Sequence, residues 1–311
     1  MFTKSYLKSC PVCASKEIQF NHRRSDDRYG YLGWHAVYRC AVCTAYFLQD
    51  PVAESAMGAL YERYYPSLHA PKPSLLHALT HRIPFFLRLF RKLVGTVPLI
   101  ERIPKGAKVL DVGCGFYPEL ASEVRAQQLD WTGLEINEKI VAKIKEAGLA
   151  CYAGIPESCV IQEKFDYILL SQVIEHQSKV VANIRALARL LNPQGRIIIL
   201  TPSTDSMYLK RYGKKWLHWH TPYHTVIFNK KSIRMLAKQA ALVVESYTTY
   251  TPTYWYVLQK NFRLVFGKEN HSVKGTLSIL PLVFHSLHLR LRDMLATDTN
   301  DCMYCVLRKS K

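Results

Sequence analysis

The sequence has 311 residues, of which 49% are hydrophobic and 12% aromatic, so the composition suits a packed globular protein and excludes a disordered chain. The formal net charge of +18 lies in the flanks: residues 1–104 carry 14 Lys or Arg against 7 Asp or Glu, residues 105–201 carry 11 of each, and residues 202–311 carry 17 against 6. No apolar run reaches the length of a membrane span and the first residues lack the apolar core of a signal peptide, so we expect a cytoplasmic protein.

Two Cys-x2-Cys pairs near the N-terminus predict a metal site. Cys10 and Cys13 form the first pair, Cys40 and Cys43 form the second, and 26 residues separate the two pairs. Two such pairs supply the four thiolates of a tetrahedral zinc site, whereas the alternative is four buried free thiols. Because protein ligands would take all four positions, the zinc would be structural, and its binding would supply much of the free energy for folding so small a module.

Residues 51–104 are predicted to form a helical linker or cap. The segment 84–94 places its large apolar residues on one helical face and Arg88, Arg91 and Lys92 on the other. This face either packs on the core or contacts an anionic membrane surface.

Short apolar strands alternate with helices over residues 105–201, which predicts a parallel sheet. We predict strands at 108–112, 131–135, 150–154, 165–170 and 195–200, and helices at 119–125, 138–147 and 179–191. The first strand runs into the glycine turn Gly113-Cys114-Gly115, whose backbone can approach a nucleotide closely. Glu135 ends the second strand about 20 residues later, where a carboxylate can accept hydrogen bonds from two ribose hydroxyls.

A helix over 230–240, begun by Asn229 as N-cap, and strands at 242–250 and 302–309 complete the predicted core. Cys302 and Cys305 in the last strand are predicted to be core thiols. The long connection 251–301 contains an amphipathic segment at 279–295 that packs on the core, contacts anionic lipid or covers the substrate.

The order of the motifs VLDVGCG, GLE, FDYILLSQVIEH and LNPQGRIIILTP resembles the class I S-adenosylmethionine-dependent methyltransferases. The resemblance implies an α/β, Rossmann-like sheet that is mostly parallel, with an antiparallel last strand, a small N-terminal zinc-ribbon-like module and helical insertions. An NAD(P)-binding Rossmann domain is the alternative, but its third glycine is missing at 116–118. We divide the chain into a zinc-binding module at 1–50, a helical linker or cap at 51–104, a methyltransferase core at 105–250 plus 302–311, and a helical insertion at 251–301.

The family's contacts to S-adenosylmethionine carry over to matching positions of this sequence. The resemblance implies that the glycine turn lines the methionine and ribose, that Glu135 holds the ribose hydroxyls, and that the end of the fourth strand closes over the cofactor. The implied cofactor-binding residues are Asp111, Gly113, Cys114, Gly115, Glu135, Ile136, Ile155, Ser171, Gln172 and Val173.

The loop at 208–224, after the fifth strand, combines basic residues, aromatic rings and three histidines. It lies where open sheets bind ligands, and it resembles the corresponding loop of methyltransferases that carry a Cys-rich N-terminal module and act on sugars or surface glycans. The resemblance makes His224 the candidate general base, with His220 and His176 as alternatives and structural roles still open. A histidine base predicts a pH profile that rises through a pKa of about 6–7.

These observations predict methyl transfer from S-adenosylmethionine to a sugar-like acceptor that is nucleotide-linked, lipid-linked or part of a surface glycan. The alternatives are an RNA methyltransferase whose zinc module and basic flanks bind phosphates, and a non-catalytic cofactor-binding adaptor at a membrane. The expected cofactors are S-adenosylmethionine and structural Zn²⁺. The expected partners are the acceptor and an anionic membrane surface, with nucleic acid less favoured, and the expected location is the cytoplasm, including the inner face of the membrane.

Overall fold

The computed structural model describes residues 2–64, 99–253 and 298–310, together with positions 259, 284, 287–289, 291, 292 and 295. The amphipathic helix predicted at 84–94 lies outside the described residues, as does most of the 251–301 connection.

The described part of the chain contains both strands and helices, numbered here in chain order. The strands are β1 (Ile18–Ser25), β2 (Trp34–Cys40), β3 (Tyr46–Leu48), β4 (Lys108–Val112), β5 (Asp130–Glu135), β6 (Ala150–Ala153), β7 (Phe165–Ser171), β8 (Leu191–Pro202), β9 (Val226–Ile227), β10 (Leu242–Tyr250) and β11 (Cys302–Lys309). The helices are α1 (Glu54–Tyr64), α2 (Leu99–Arg102), α3 (Leu120–Ala126), α4 (Glu138–Glu146), α5 (Val180–Leu190), α6 (Met207–Tyr212) and α7 (Lys230–Gln239). Three single turns of 3₁₀ helix lie at Ile174–His176, Gly213–Lys215 and Leu217–Trp219.

The central sheet has the strand order β10-β11-β8-β7-β4-β5-β6. Strands β4 to β8 pair in parallel, whereas β11 runs antiparallel to both of its neighbours. Helices α5 and α7 pack on one face of the sheet, and α2, α3 and α4 pack on the other. The α/β sheet with an antiparallel last strand therefore agrees with the prediction.

One strand starts earlier than its sequence pattern predicts. The fifth parallel strand, β8, begins at Leu191 and not at Gly195, because Phe165 pairs with Leu191 before the register shifts and Tyr167 pairs with Arg196. Gly195 lies in this irregular stretch, where an added Cβ would come within 2.9 Å of the Phe165 carbonyl oxygen. The bulge places Asn192-Pro193 inside the strand, although the sequence predicts these residues as a helix end.

The N-terminal residues form a second sheet, which also includes one strand of the central domain. β1, β2 and β3 form an antiparallel meander, and β3 then pairs with β9, with Tyr46 opposite Ile227 and Phe47 opposite Val226. The sheet order is therefore β1-β2-β3-β9. Backbone pairing thus joins the N-terminal module to the chain two residues beyond His224.

The described positions of the 251–301 connection include both exposed and buried apolar residues. Phe284, Leu287, Leu291 and Leu295 are helical and 70%, 55%, 61% and 80% exposed, whereas Leu289 is buried beside Trp216 and Trp219. None of the helices in the described part of the chain combines the length and the apolar character needed to span a bilayer.

Candidate functional site

The glycine turn after β4 has a backbone that only glycine adopts freely. Gly113 and Gly115 have φ angles of +62° and +59°, in the left-handed region. The Gly113 N–H donates to the Leu134 carbonyl at 2.7 Å, and a Cβ on Gly113 would lie 2.6 Å from a methyl group of Val173. Glycine at position 113 therefore lets the turn lie against the end of β7.

Glu135, at the end of β5, presents a carboxylate that the backbone already orients. Its Oε2 accepts from the Gly115 N–H and its Oε1 accepts from the Asn137 N–H, each at 3.1 Å. Each carboxylate oxygen has further lone pairs, so both can also accept hydrogen bonds from a ligand's hydroxyls. Ile136, the next residue, is 45% exposed, which leaves an apolar surface beside that carboxylate.

Asp111 lies one residue before the end of β4 and adds a second carboxyl group. Desolvation raises the pKa of Asp111 to about 7, and the nearby Glu135 carboxylate adds to the increase. A positively charged ligand beside Asp111 would favour its ionised form. The glycine turn, the Glu135 carboxylate and the Asp111 carboxyl group together fit S-adenosylmethionine. Glu135 could accept hydrogen bonds from its ribose diol, and Asp111 could lie near its sulfonium charge.

The remaining predicted cofactor residues lie at the carboxyl ends of β6 and β7. Ser171 is exposed, Gln172 has a φ of +56° and donates its N–H to the Leu200 carbonyl at 2.8 Å, and Val173 faces the glycine turn. Ile155 is half-buried just after β6. The turn after β7 is therefore fixed against both β4 and β8.

Cys114 lies between the two glycines of the turn, and its side chain points back toward the sheet. Its Sγ lies close to Gly133, and the pKa of the Cys114 thiol is raised by its contact with Cys151 and by burial. The Cys114 side chain therefore packs in part against the sheet, and the residue is half-buried.

A cluster of histidines forms on the side of the sheet where β7 and β8 end, and it consists of His176, His218, His220 and His224. The His224 ring lies with its centroid 4.7 Å from that of His176 and 4.9 Å from that of His220. Nδ1 of His224 donates to the His218 carbonyl at 2.7 Å, which leaves Nε2 of the neutral ring as a proton acceptor. Nδ1 of His176 lies 3.0 Å from the Tyr223 carbonyl and 2.7 Å from the Tyr61 hydroxyl.

Burial favours the neutral form of three of these histidines, His176, His220 and His224. It lowers the pKa values of His224 and His220 well below the ordinary value, and it lowers the pKa of His176 to about 4. Neighbouring Glu175 is fully buried, and its burial raises the pKa of the carboxyl group to about 8. Thr201 Oγ1 donates to Glu175 Oε2 at 2.8 Å, while Oε1 has no hydrogen-bond partner among the described residues.

Asp301 is a functional candidate that the sequence reading missed. This buried carboxylate, which directly precedes β11, accepts hydrogen bonds from Ser206 Oγ at 2.8 Å, Trp216 Nε1 at 2.7 Å and His218 Nε2 at 3.1 Å. Burial opposes the charge of Asp301, but His218 and these hydrogen bonds hold its pKa below the ordinary value. Asp301 thereby fixes the start of the histidine loop, defined here as residues 216–224. The ring N–H groups of Trp216 and His218 need a hydrogen-bond acceptor when they are buried, and this requirement was the signal available in the sequence.

The four N-terminal cysteines converge as their spacing predicts. Cys10 Sγ lies 3.4 Å from Cys43 Sγ, Cys13 Sγ lies 3.5 Å from Cys40 Sγ, and all four sulfur atoms lie within 4.8 Å of one another. A tetrahedral zinc ion with Zn–S bonds of about 2.3 Å would separate its sulfur ligands by about 3.8 Å. The number, chemistry and spacing of these thiols therefore fit such an ion.

Residues 80–247, more than half of the chain, match the family model described as methyltransferase domain. The S-adenosyl-L-methionine-dependent Diels-Alderase of Neonectria sp. (strain DH2) is 32% identical over 111 residues, a match that spans 35% of this chain and 43% of that protein's length. The solved [4+2]-cyclase SpnF is 17% identical with a TM-score of 0.47, and the match covers 70% of this chain and 80% of that one. Phosphoethanolamine N-methyltransferase 2 from Haemonchus contortus is 17% identical with a TM-score of 0.45, covering 71% and 53%. By its family match, strand order and glycine turn, the chain belongs to the class I S-adenosylmethionine-dependent methyltransferases.

Proposed function

We propose that this methyltransferase acts on a sugar-like acceptor, linked to a nucleotide or a lipid or part of a surface glycan, and that His224 is its general base. The observation that carries the proposal is the state of His224. Its ring is neutral, Nδ1 is held by the His218 carbonyl, and Nε2 is left as a proton acceptor where β7 and β8 end. The sugar-like class of the acceptor rests on the resemblance of the loop sequence.

S-adenosylmethionine, when bound, supplies an electrophilic methyl group on a sulfonium sulfur. Asp111, Glu135 and the glycine turn would hold it, and the acceptor would approach from the side of the histidine loop. Nε2 of His224 would take up the proton that the acceptor loses when it is methylated.

The surroundings of His224 suit this transfer. Burial lowers the pKa values of His176 and His220, which keeps full positive charge on these rings away from His224, whereas burial and the Arg28 charge oppose protonation of His224 itself. Asp301 contacts the His218 side chain, and the His218 carbonyl holds Nδ1 of His224, so a buried carboxylate supports the residue that orients the base. His220 and His176 are the alternative bases.

The test is methyl transfer from cofactor labelled in its methyl group to separate nucleotide-sugar, lipid-linked saccharide and RNA fractions. The methyl group must carry the label because one relative of this chain is a Diels-Alderase. His224→Ala should lower turnover by about 10²–10⁴ while cofactor affinity stays near that of the wild type. His220→Ala and His176→Ala are the matched variants, and the base is reassigned if one of them loses activity while His224→Ala keeps it.

Other outcomes would move the assignment to a different class. Labelled RNA, with binding that weakens steeply as salt increases, would favour the RNA methyltransferase. Cofactor binding with no labelled product in any fraction would favour the adaptor. Glu175, His176 and His224 also bring one potential ligand atom each within 4.8 Å of the others, so turnover that requires an added divalent cation would make His224 a ligand instead of a base.

We also propose that Cys10, Cys13, Cys40 and Cys43 hold one Zn²⁺. With four protein ligands the ion would have no open position for substrate, so it would act on structure and not on the acceptor. Its contribution to folding is the subject of a prediction below.

A further inference from the structure

We infer that the metal-bearing N-terminal module positions the histidine loop, so that metal occupancy of the four-cysteine site controls the acceptor side of the enzyme. This inference rests on the proposed function only in assigning the loop to the acceptor. Three groups of contacts connect the N-terminal module to the chain around His224.

The first connection runs from the second cysteine pair to Asn229. Thr44 directly follows Cys43, its N–H donates to the Cys40 carbonyl at 3.1 Å, and its hydroxyl donates to the Cys43 carbonyl at 2.7 Å. The amide nitrogen of Asn229 donates to the Thr44 carbonyl at 3.0 Å and to the Thr44 hydroxyl at 2.8 Å. Asn229 is 4% exposed and lies five residues after His224. Two hydrogen bonds from Asn229 therefore connect the second cysteine pair to the start of α7, five residues beyond the histidine loop.

The second connection consists of two backbone hydrogen bonds made by Thr225, the residue next to His224. The Thr225 N–H donates to the Glu175 carbonyl at 2.7 Å, which ties it to the turn after β7. The Thr225 carbonyl accepts from the Leu48 N–H at 2.9 Å, which ties it to β3. Because β9 follows immediately and pairs with β3, the backbone at His224 is held between the cofactor-side turn and the module.

The third connection is made by the segment between β1 and β2, which contacts the histidine loop itself. The Asp26 carboxylate accepts backbone hydrogen bonds from Arg28, Tyr29 and Tyr31, which shapes this segment. The Arg28 guanidinium donates to the Leu217 carbonyl, and the Tyr29 ring centroid lies 5.4 Å from that of His220. The module thus supplies part of the wall around the histidines.

Among the described residues, the glycine turn and Glu135 make no hydrogen bond to the N-terminal module. The hydrogen bonds that shape the glycine turn and Glu135 run between β4, β5 and the start of α4, all within the central domain. A small module held by four thiolates gains much of its folding free energy from the metal. Loss of the metal should therefore loosen the histidine loop while S-adenosylmethionine still binds.

Hydrogen exchange on the full-length protein, followed by mass spectrometry, tests this without knowledge of the acceptor. In Cys43→Ser, and in the wild type after metal chelation, amide protection over 216–229 should fall by about tenfold or more, with the affinity for S-adenosylmethionine unchanged in calorimetry. Cys159→Ser, which changes a cysteine outside the cluster, should keep metal, protection and affinity. Unchanged protection over 216–229 in metal-free protein overturns the inference, and so does loss of cofactor binding together with protection across the central sheet.

A second variant leaves the metal ligands in place. Asn229→Asp keeps an oxygen that can accept from the Ser232 N–H as N-cap of α7. It removes the hydrogen bonds that the Asn229 amide donates to the Thr44 carbonyl and to the Thr44 and Thr204 hydroxyls, and it places a carboxylate oxygen against the Thr44 carbonyl. Turnover should fall by about tenfold to a hundredfold with metal content and cofactor affinity retained, because a small displacement of the base has a large effect on rate. Ser232→Ala, which breaks the other half of the same capping box, is the control with near-normal turnover. Normal turnover and protection in Asn229→Asp contradict the inference, whereas an active His224→Ala contradicts only the proposed base.

Discussion

Glu135 has both carboxylate oxygens engaged by backbone donors before any ligand is present. The Gly115 N–H belongs to the turn that would face the cofactor, and the Asn137 N–H belongs to the N-cap residue of α4. The carboxylate is thereby held in one orientation, and a ligand's hydroxyls would not need to order it. Such preorganisation reduces the entropy lost on binding.

Replacing Glu135 by Ala should therefore weaken the binding of S-adenosylmethionine by about 1.5–3 kcal/mol, the range for a hydrogen bond to a charged group. Isothermal titration calorimetry measures this directly. Glu138→Ala is a suitable control, because Glu138 is an exposed acid in the first turn of α4, only three residues after Glu135. Equal affinities of the Glu135 and Glu138 variants would remove Glu135 from the cofactor site.

The pH dependence of turnover should reflect the burial of His224. A general base acts in its neutral form, so the rate is constant above its pKa and falls as the pH drops through it. Because burial lowers the pKa of His224 well below 6.5, the acid limb should lie below that value, which is lower than the sequence-based expectation of about 6–7. The profile must be measured where chemistry limits the rate. An acid limb centred at or above 6.5 would point to a different group.

At the scale of elements, the parts predicted well are those whose signal is local. β4, β10 and β11 lie where their apolar patterns place them, and Asn229 caps α7 with the side chain that its position suggests. Each Cys-x2-Cys pair needs only a tight turn, and the antiparallel hairpin of β1 and β2 brings the two pairs together. Local periodicity and turn chemistry decide these features, so they can be read from one sequence.

The parts that could not be predicted depend on pairing between distant residues. β9 is a strand because it meets β3, which lies about 180 residues away in the sequence, and two residues carry no periodicity of their own. The sequence pattern places Asp301 in the connection before the last strand, and only the fold brings its side chain to Trp216 and His218. Cys302 and Cys305 are both buried, although three residues apart in a strand they lie on opposite faces, because the sheet is covered on both sides.

The four-cysteine cluster leads us to predict how much metal each chain binds. Purified protein should contain one zinc per chain by elemental analysis, and Cys10→Ser should lower both the zinc content and the thermal stability of the module. Cys302→Ser should leave the zinc content unchanged because Cys302 lies in β11, outside the cluster. Protein that is purified without metal and still has a fully folded N-terminal module would contradict the site, and a second equivalent of metal would direct attention to Glu175, His176 and His224.

At the scale of the whole molecule, charge and exposed apolar surface coincide in the C-terminal third. Residues 202–311 carry 17 Lys or Arg against 6 Asp or Glu. Phe284, Leu287, Leu291 and Leu295 lie in the same third, at the spacing of one helix face, and each is more than half exposed. Apolar side chains on a basic background fit an anionic lipid surface, because charge attracts the protein and apolar burial holds it there.

We therefore propose that the protein sediments with vesicles of phosphatidylcholine mixed with an anionic phospholipid, and not with phosphatidylcholine alone. Raising the salt concentration should release it, since the Debye length shortens to about 3 Å at 1 M. Exchanging two of the exposed side chains, in the double variant Phe284→Ser and Leu295→Ser, should weaken sedimentation by about tenfold or more, because two large apolar contacts with the lipid are lost. Val160→Ser is the matched control, because Val160 is 81% exposed but lies in the neutral central part of the chain. Equal sedimentation with neutral vesicles would exclude the electrostatic contribution, and an unaffected double variant would show that the apolar stripe does not touch lipid. If heparin competes with the vesicles and RNA binds with the same salt dependence, the basic surface serves nucleic acid instead.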